Sequence, residues 1–348
     1  MKIYLVGGAV RDSLLKKTPK DRDYVVVGAT PKDLLDSGKF KPVGKSFPVF
    51  IHKETGDEYA LARKEQKNGK GHTGFNVDFS PEISLTEDLK RRDLTINSMA
   101  QDISSGELID PFNGLKDLKN KTLKHTSDAF SEDPLRVFRV AKFSARFPDF
   151  SIHSKTLNLM TKLVKSPDFK FLSSDRILKE LKSALKEESP SSFFQTLRSC
   201  GALSSLGICS SFIFSLEKND NYPFLVFISK LGVYSLMQYN DFCLKFPLSN
   251  EERKISSLIA EFYPILEKPQ PAEIYELFKK TNAYKDLKNL KKVISVSSSF
   301  LPVNEEKIYE CLNNSSNFPK SLVKDFQGKE LGFQIKKWQT KKIKETLT

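Results

Sequence analysis

Apolar residues in the first third of the chain come in short runs separated by glycine, proline and aspartate: KIYLVG, DYVVVG, PVFIH and EYALAR. Runs rich in Val, Ile and Tyr and closed by such residues predict strands. Glu54-Thr55-Gly56-Asp57, between the third and fourth runs, predicts a hairpin turn. From Ser131 the spacing changes. EDPLRVFRVAKFSARF, DRILKELKSALK and SSFFQTLRSC repeat apolar positions every three to four residues, the period of a helix with one buried face. The pattern predicts an α+β arrangement: a small mixed domain first, then a mostly helical remainder. Ser- and Asn-containing stretches near 213–222 and 312–319 read as linkers, and no fixed-period repeat is present.

Composition adds three constraints. No stretch reaches the roughly 18 to 20 apolar residues of a membrane span, so no membrane partner is expected. The chain opens on Met-Lys-Ile-Tyr, a strand pattern rather than a signal peptide, and Cys200, Cys209, Cys243 and Cys311 form no CxxC pair. A reduced, cytoplasmic protein is expected. The 348 residues carry 56 Lys and Arg against 43 Asp and Glu, a net charge of +13, of which residues 151–348 hold +9. That excess suits a polyanionic partner, although solvated lysines alone give the same sum.

Candidate chemistry begins with Asp21-Arg22-Asp23, which leads into the apolar run Tyr24-Val25-Val26-Val27-Gly28. Within a strand, residues two apart share a face. Two carboxylates side by side repel unless a divalent cation sits between them. Such a pair standing alone also closes many solvated loops. Upstream, LVGG ends a strand on Gly7 and Gly8, which let the backbone approach a ligand, and AVRDSLLKK starts a helix whose first N–H groups face that ligand. Arg11 is placed one turn in to grip a phosphate oxygen. Together these predict a triphosphate at a helix start and Mg²⁺ on Asp21 and Asp23. A third carboxylate is wanted to help activate an attacking hydroxyl; Glu58, opening EYALAR, is the candidate, with Asp57 as competitor.

These motifs, in order, resemble a known family. VGGAVRD with DRD, EYALAR, LKRRDLTINSMAQD (89–102), LIDPFNGLKDL (108–118) and EDPLRVFRVAKFSAR (132–146) are similar to the class II tRNA nucleotidyltransferases, the CCA-adding enzymes, in their gamma-proteobacterial form. Looser similarity runs through DRILKELKSAL (175–185) and GKELGFQIKKWQTKKI (328–343), while 206–327 carries no recognisable motif. The resemblance implies a polymerase-β-like nucleotidyltransferase head (1–130), a helical neck bearing a nucleotide-template helix (131–205), and a helical body and tail that bind tRNA (206–348). It implies addition of C, C and A to tRNA 3′ ends from CTP and ATP without a nucleic-acid template, and it implies no obligate protein partner. Poly(A) polymerases share the head and the reaction, and a non-catalytic RNA-binding protein on the same scaffold is a third reading.

The template expectation has a chemical basis. Asp133 and Arg136, three apart on a helix started by Ser131 and Pro134, project from one face. The carboxylate only accepts hydrogen bonds and the guanidinium only donates. Cytosine and adenine each offer an exocyclic amine beside a ring acceptor and satisfy both; uracil and guanine reverse the order. The family also implies nucleotide contacts from Arg139, and from Arg91, Asp93 and Asn97 in RRDLTIN, where two arginines at a helix start suit phosphate. RKEQKNGKGHTGFNVDFS, after the EYALAR strand, is too glycine-rich and charged for regular structure, and the family carries there a flexible loop that reshapes the pocket from C to A. Pro42 to Phe50 lacks the basic stretch of poly(A) polymerases. With no histidine beyond His153, a functional His-Asp phosphohydrolase domain is not expected in 206–348. Aromatics such as those of SSFIFSLEKNDNYPFLVFISKLGVYSLMQYNDFCLKF read as core. Lys336, Lys337, Lys341 and Lys342, in the terminal KKWQTKKIKE, are the candidate RNA-backbone contacts, and Trp338 either packs or stacks on nucleotide.

Overall fold

The computed structural model describes residues 1–43, 49–67, 75–319, 321 and 326–348, and the chain divides into two compact units, Met1–Ser205 and Leu206–Thr348.

The first unit begins β1 (Lys2–Val6), α1 (Gly8–Leu14), β2 (Asp23–Val27), α2 (Pro31–Asp36), β3 (Phe40–Val43), β4 (Val49–His52) and β5 (Glu58–Leu61). Two short strands follow, β6 (Lys64–Lys67) and β7 (Phe75–Asp78), then α3 (Leu85–Lys90), β8 (Ala100–Asp102), β9 (Leu108–Ile109), α4 (Gly114–Lys119) and β10 (Thr122–Leu123). The unit closes with α5 (Arg136–Arg146), β11 (Ser151–Ile152), α6 (Ser154–Lys165), α7 (Ser174–Ala184) and α8 (Pro190–Ser199). Seven strands form one mixed sheet in the order β3-β4-β5-β2-β1-β8-β9, with only β2 and β5 parallel.

The unbroken apolar run of β2 has its reason in this sheet. Val25 packs with Tyr4, Val6 and Leu89 on one face, while Val26 packs with Leu34, Phe50 and Leu61 on the other. Burial on both faces removes the polar alternation of a half-exposed strand. A central strand so held is a rigid mount for whatever sits at its end.

Two sequence expectations need correction here. The segment after β5 is not wholly irregular: its arms pair as the antiparallel ribbon β6–β7, with Lys64 opposite Asp78. A backbone ladder needs no apolar side chains, which is why the charged sequence concealed it. Residues 68–74 of the expected mobile loop lie outside the described residues, as do 44–48 of the stretch compared with poly(A) polymerases. The supposed linker at 312–319 is largely helical, since α14 runs to Ser316. Ser315 is buried there, its hydroxyl donating to the Cys311 carbonyl at 2.7 Å, so a turn-former is satisfied inside a helix.

The second unit is helical: α9 (Pro223–Tyr234), α10 (Leu236–Lys245), α11 (Asn250–Glu267), α12 (Pro271–Thr281), α13 (Lys288–Ser297), α14 (Glu305–Ser316) and α15 (Gly328–Leu347). Phe227, Phe242, Phe246 and Phe278 are fully buried among these helices, so the aromatic spacing marks core. Trp338 meets Phe318 edge-on with ring centroids 5.2 Å apart, a packing contact. Among the described residues, no helix is long and apolar enough to cross a membrane.

Candidate active site

The site grows from the end of β1. Gly7 follows the strand at φ +69°, a conformation that side-chain-bearing residues adopt at a cost, and its amide donates to the Met99 carbonyl at 3.1 Å. A Cβ there would lie 2.8 Å from an Arg92 guanidinium nitrogen, so the glycine also leaves room for that arginine. Beside it, β2 opens on Asp23, whose register partners are Val6 on β1 and Glu58 on β5. Glu58, not Asp57, therefore stands level with Asp23.

Asp21 departs from expectation: it lies in a bend before β2, so the two aspartates are not residues of one strand. Asp21, Asp23 and Glu58 are all exposed. Partial burial raises the Asp23 carboxyl above the usual range; Arg92 opposes this and Asp21 reinforces it. Among the described residues no three Asp, Glu, His or Cys side chains are grouped closely enough to hold a metal, so the expected three-carboxylate cluster is not assembled.

Arg91 and Arg92 follow the end of α3 rather than starting a helix. Ser84 and Glu87 form a capping box that begins α3 upstream, and Arg91 closes it. Both arginines are anchored on the fully buried Asp88, at 2.7 Å and 3.2 Å. Burial alone would raise Asp88; the two cations, Arg92 foremost, overcome it and hold the carboxyl low.

Asp93 is buried as well. It accepts from Arg139 Nε at 2.8 Å, from the Asn97 amide at 3.0 Å and from the Leu94 N–H at 2.8 Å. Burial opposes ionisation, yet Arg139 and these donors hold the carboxyl far below its ordinary value. In return Asp93 raises Arg139. Arg11 lines the cavity with a buried guanidinium that donates to Asp12 and to Asn97 and lies 5.2 Å and 5.4 Å from the Phe147 and Phe143 ring centres. Burial lowers its pKa.

The Asp133 and Arg136 expectation also changes. Helix α5 begins at Arg136, and Asp133 is extended at φ −124°, so the two do not share a helical face. Arg136 donates to the carbonyls of Ala129 and Arg91, each at 2.5 Å. Asp133 instead accepts from Arg176 of α7 at 2.7 Å and from the Leu135 N–H at 3.1 Å. A buried guanidinium tied to two carbonyls overrides the start signal of Ser131 and Pro134.

Most of these groups face one cavity of about 600 Å³. Gly7, Gly8, Arg11, Asp23, Arg91, Asp93, Asn97, Asp133, Arg136 and Arg139 line it; Asp21 and Glu58 lie outside the lining. Eight arginines and one lysine face four carboxylates around it, so the cavity is strongly electropositive. The motifs do not single out Arg63, Lys142, Arg146 and Arg176. For Lys142 and Arg146 a signal exists, since they follow Arg139 by three and seven residues, one face of a helix. In the second unit, Lys336, Lys337 and Lys341 are exposed on α15, with Lys336 2.7 Å from Glu276 and Lys342 2.6 Å from Glu345.

Residues 3–124 match the family of poly A polymerase head domains. A multifunctional CCA protein from Psychromonas ingrahamii is 58% identical over 205 residues, which is 58% of this chain and 50% of that protein. The head thus resembles the poly A polymerase head domains, and the 205-residue match is to a CCA protein. The chain spans about half the length of this curated relative. The fold likeness extends over almost the whole chain. A CCA-adding enzyme in an apo form superposes with a TM-score of 0.74 at 22% identity, covering 99% of this chain and 90% of the other. The Bacillus stearothermophilus CCA-adding enzyme in complex with CTP gives 0.72 at 20% identity, covering 99% and 89%. At these identities the two structures establish the architecture: a polymerase-β-like head with a mixed sheet, followed by a helical remainder.

Proposed function

We propose that this chain adds or repairs the 3′-terminal CCA of tRNA, using CTP and ATP in a template-independent nucleotidyl transfer. The cavity carries the reading. Nine cations against four carboxylates, beside a glycine turn, suit a triphosphate and a polyanionic chain end. The 58% identity to a CCA protein over 205 residues supports this transfer.

Mg²⁺ fits the residues present. Asp23 opens β2 level with Glu58 and two residues after Asp21; desolvation raises its carboxyl above the usual range, Arg92 opposes this and Asp21 adds to it, so a cation there would favour the ionised form. Mg²⁺ is commonly held by one or two carboxylates together with substrate phosphates, so Asp21 and Asp23 suffice without a third. When bound, the ion offsets charge on the triphosphate and favours deprotonation of the attacking 3′-hydroxyl. The chain's own groups do the rest. Arg91 and Arg92, fixed on Asp88, hold phosphate oxygens. Asp93 and Asn97, positioned by Arg139, hydrogen-bond the ribose hydroxyls. Exposed Glu58, level with Asp23, accepts the hydroxyl proton. Lys336, Lys337, Lys341 and Lys342 hold the tRNA backbone. Four cysteines without disulfides fit a reducing compartment such as the cytoplasm.

The head family also favours a second reading, polyadenylation. A product ladder separates the two. A tRNA lacking its last three nucleotides, given CTP and ATP, is expected to stop after three additions; long oligo(A) tracts or no extension would overturn the proposal.

A further inference from the structure

We infer that the outer face of α10 is a contact surface for a second copy of this chain, and that two copies pair through it reversibly, their α10 helices antiparallel about a two-fold axis. The inference is independent of the proposed nucleotidyl transfer and concerns a part of the chain, 206–327, in which no motif is recognisable.

The face is apolar where the fold of one chain does not require it. Tyr239, Phe242 and Cys243 are the buried side of α10, and the Tyr239 hydroxyl meets that of Ser256 on α11 at 2.9 Å, which fixes the helix on its neighbour. Leu236, Met237, Asn240, Asp241, Leu244 and Lys245 form the opposite, exposed side, at the spacing of one helical face. Such positions are ordinarily polar. Of the twelve large apolar side chains exposed among the described residues, four fall within residues 234–244, and Leu244 at 87% and Met237 at 71% are the most exposed of all. Tyr234, stacked on Phe212, extends the surface beyond Leu236. A single exposed leucine needs no explanation, whereas several on one helix face mark a contact surface.

Charge identifies the occupant. Apolar residues stand at both ends of the face, with Asn240 and Asp241 at its middle. A two-fold axis between residues 240 and 241 therefore sets Met237 against Leu244 of the second copy, Leu236 against the methylene stem of its Lys245, and Asp241 opposite its Asn240. Asn240 lines a pocket of about 440 Å³ together with Asn250, Arg253, Lys254 and Ser257 of α11. Asp241 of each copy thus stands at the rim of a basic pocket on the other. Among the described residues neither Asp241 nor Lys254 makes an ion pair within the chain, so both are open to one between chains. Parallel pairing would set Asp241 against Asp241 and is disfavoured. A phosphate backbone suits neither Asp241 nor the apolar ends. The face carries its own complement, which is the requirement of a two-fold contact.

The test is sedimentation velocity of the full chain, without tRNA, from about 1 to 200 μM. The weight-average mass is expected to rise from that of one chain towards that of two, with a micromolar Kd, as a contact at the small end of the size range allows. Leu244→Asp is expected to raise that Kd about tenfold or more with an unchanged melting temperature, since the side chain lies outside the core. Met237→Asp repeats the test at the symmetry-related end. Asp241→Lys is expected to weaken pairing as well, and Asp241→Lys with Lys254→Glu to recover part of it. In a Cys209→Ser background, Met237→Cys with Leu244→Cys is expected to give a disulfide-linked dimer with copper phenanthroline, whereas Met237→Cys alone is not, which reads the antiparallel register. A wild type that remains a single chain at the highest concentration overturns the inference. So does a dimer that Leu244→Asp and Met237→Asp leave intact, which places the pairing on another face. Cross-linking by Met237→Cys alone overturns the antiparallel arrangement. Weaker tRNA binding by Leu244→Asp, with a wild type that does not pair, assigns the face to tRNA instead.

Discussion

The strand edge and the arginine wall of one cavity treat their aspartates in opposite ways. At the edge, partial burial raises the Asp23 carboxyl above the usual range, Asp21 adds to this, and Arg92 only partly compensates. Along the wall, Asp93 is buried, yet Arg139, Asn97 and the Leu94 amide keep it ionised well below that range. The wall satisfies its own charges and works as a frame. The edge holds negative charge that the free protein leaves under-compensated, and a site of that kind is where a cationic ligand gains most. Stability is therefore expected to live in the wall and chemistry at the edge.

Asp93→Asn is the strongest way to break this contrast. Replacing the buried Asp93 leaves Arg139 only the longer contact to Glu180, 3.8 Å, and removes the charged acceptor of Asn97 and the Leu94 N–H; a cost of about 2–3 kcal/mol is expected, read from urea unfolding. The pH dependence has a definite sign. A carboxylate with a depressed folded pKa contributes stability above the ordinary aspartate value of 3.8, and loses it as pH falls through the folded value. The variant should therefore show a shallower loss on acidification than the wild type. A cost below about 1 kcal/mol would show that Asp93 is not part of a stabilising frame.

Asp23→Asn tests the other side. Incorporation is expected to fall about 10²–10³-fold, the scale of losing one electrostatic contact to the transferred group. Stability should move the opposite way. The folded pKa of Asp23 is raised, so ionising it costs the fold, and its contribution is lost as pH rises through that value. The apo variant at pH 7 should melt no lower than the wild type. A drop like that of Asp93→Asn would erase the distinction between edge and wall.

The two regions also differed in how far the sequence exposed them. DYVVV and EYAL are apolar strands opened by carboxylates, and a sheet register converts that into Asp23 level with Glu58 without further information. Gly7 likewise advertised a left-handed turn. The wall depends on what meets what across elements. Arg91 and Arg92 read as a helix start, although Ser84 and Glu87 spell a capping box that places α3 ahead of them. Base reading by Arg136 is what the resemblance implies; that its N–H groups meet the Ala129 and Arg91 carbonyls is set by tertiary packing, which no spacing shows. Arg11 carried no sign that Phe143 and Phe147 would enclose it. Gly7→Ala joins the two regions, since a Cβ would meet Arg92 and the backbone stays at φ +69°. A loss of about 1–2 kcal/mol is expected, with a higher KM for CTP as Arg92 shifts. A raised KM without destabilisation would show that Arg92 moves freely; destabilisation with an unchanged KM would remove Arg92 from triphosphate binding.

The smallest effects are expected on α15, where the contrast between compensated and open charge recurs at the surface. Lys336 lies 2.7 Å from Glu276 and 5.2 Å from the Tyr275 ring centre, whereas among the described residues Lys337 makes no ion pair. A lysine that binds RNA phosphate must first release its carboxylate, so part of the gain at Lys336 is offset by the lost pair. Lys337 faces no such exchange. Lys337→Ala is therefore expected to lower the salt dependence of tRNA binding by about one unit of slope, and Lys336→Ala by less. For stability the order reverses: Lys336→Ala loses an exposed pair and melts slightly lower, while Lys337→Ala is close to neutral. Titrations of tRNA at several salt concentrations, with melts of both variants, read the two orders separately. Equal slopes would mean that the Glu276 pair has no bearing on RNA binding, and no change in either slope would move the tRNA-binding surface away from α15.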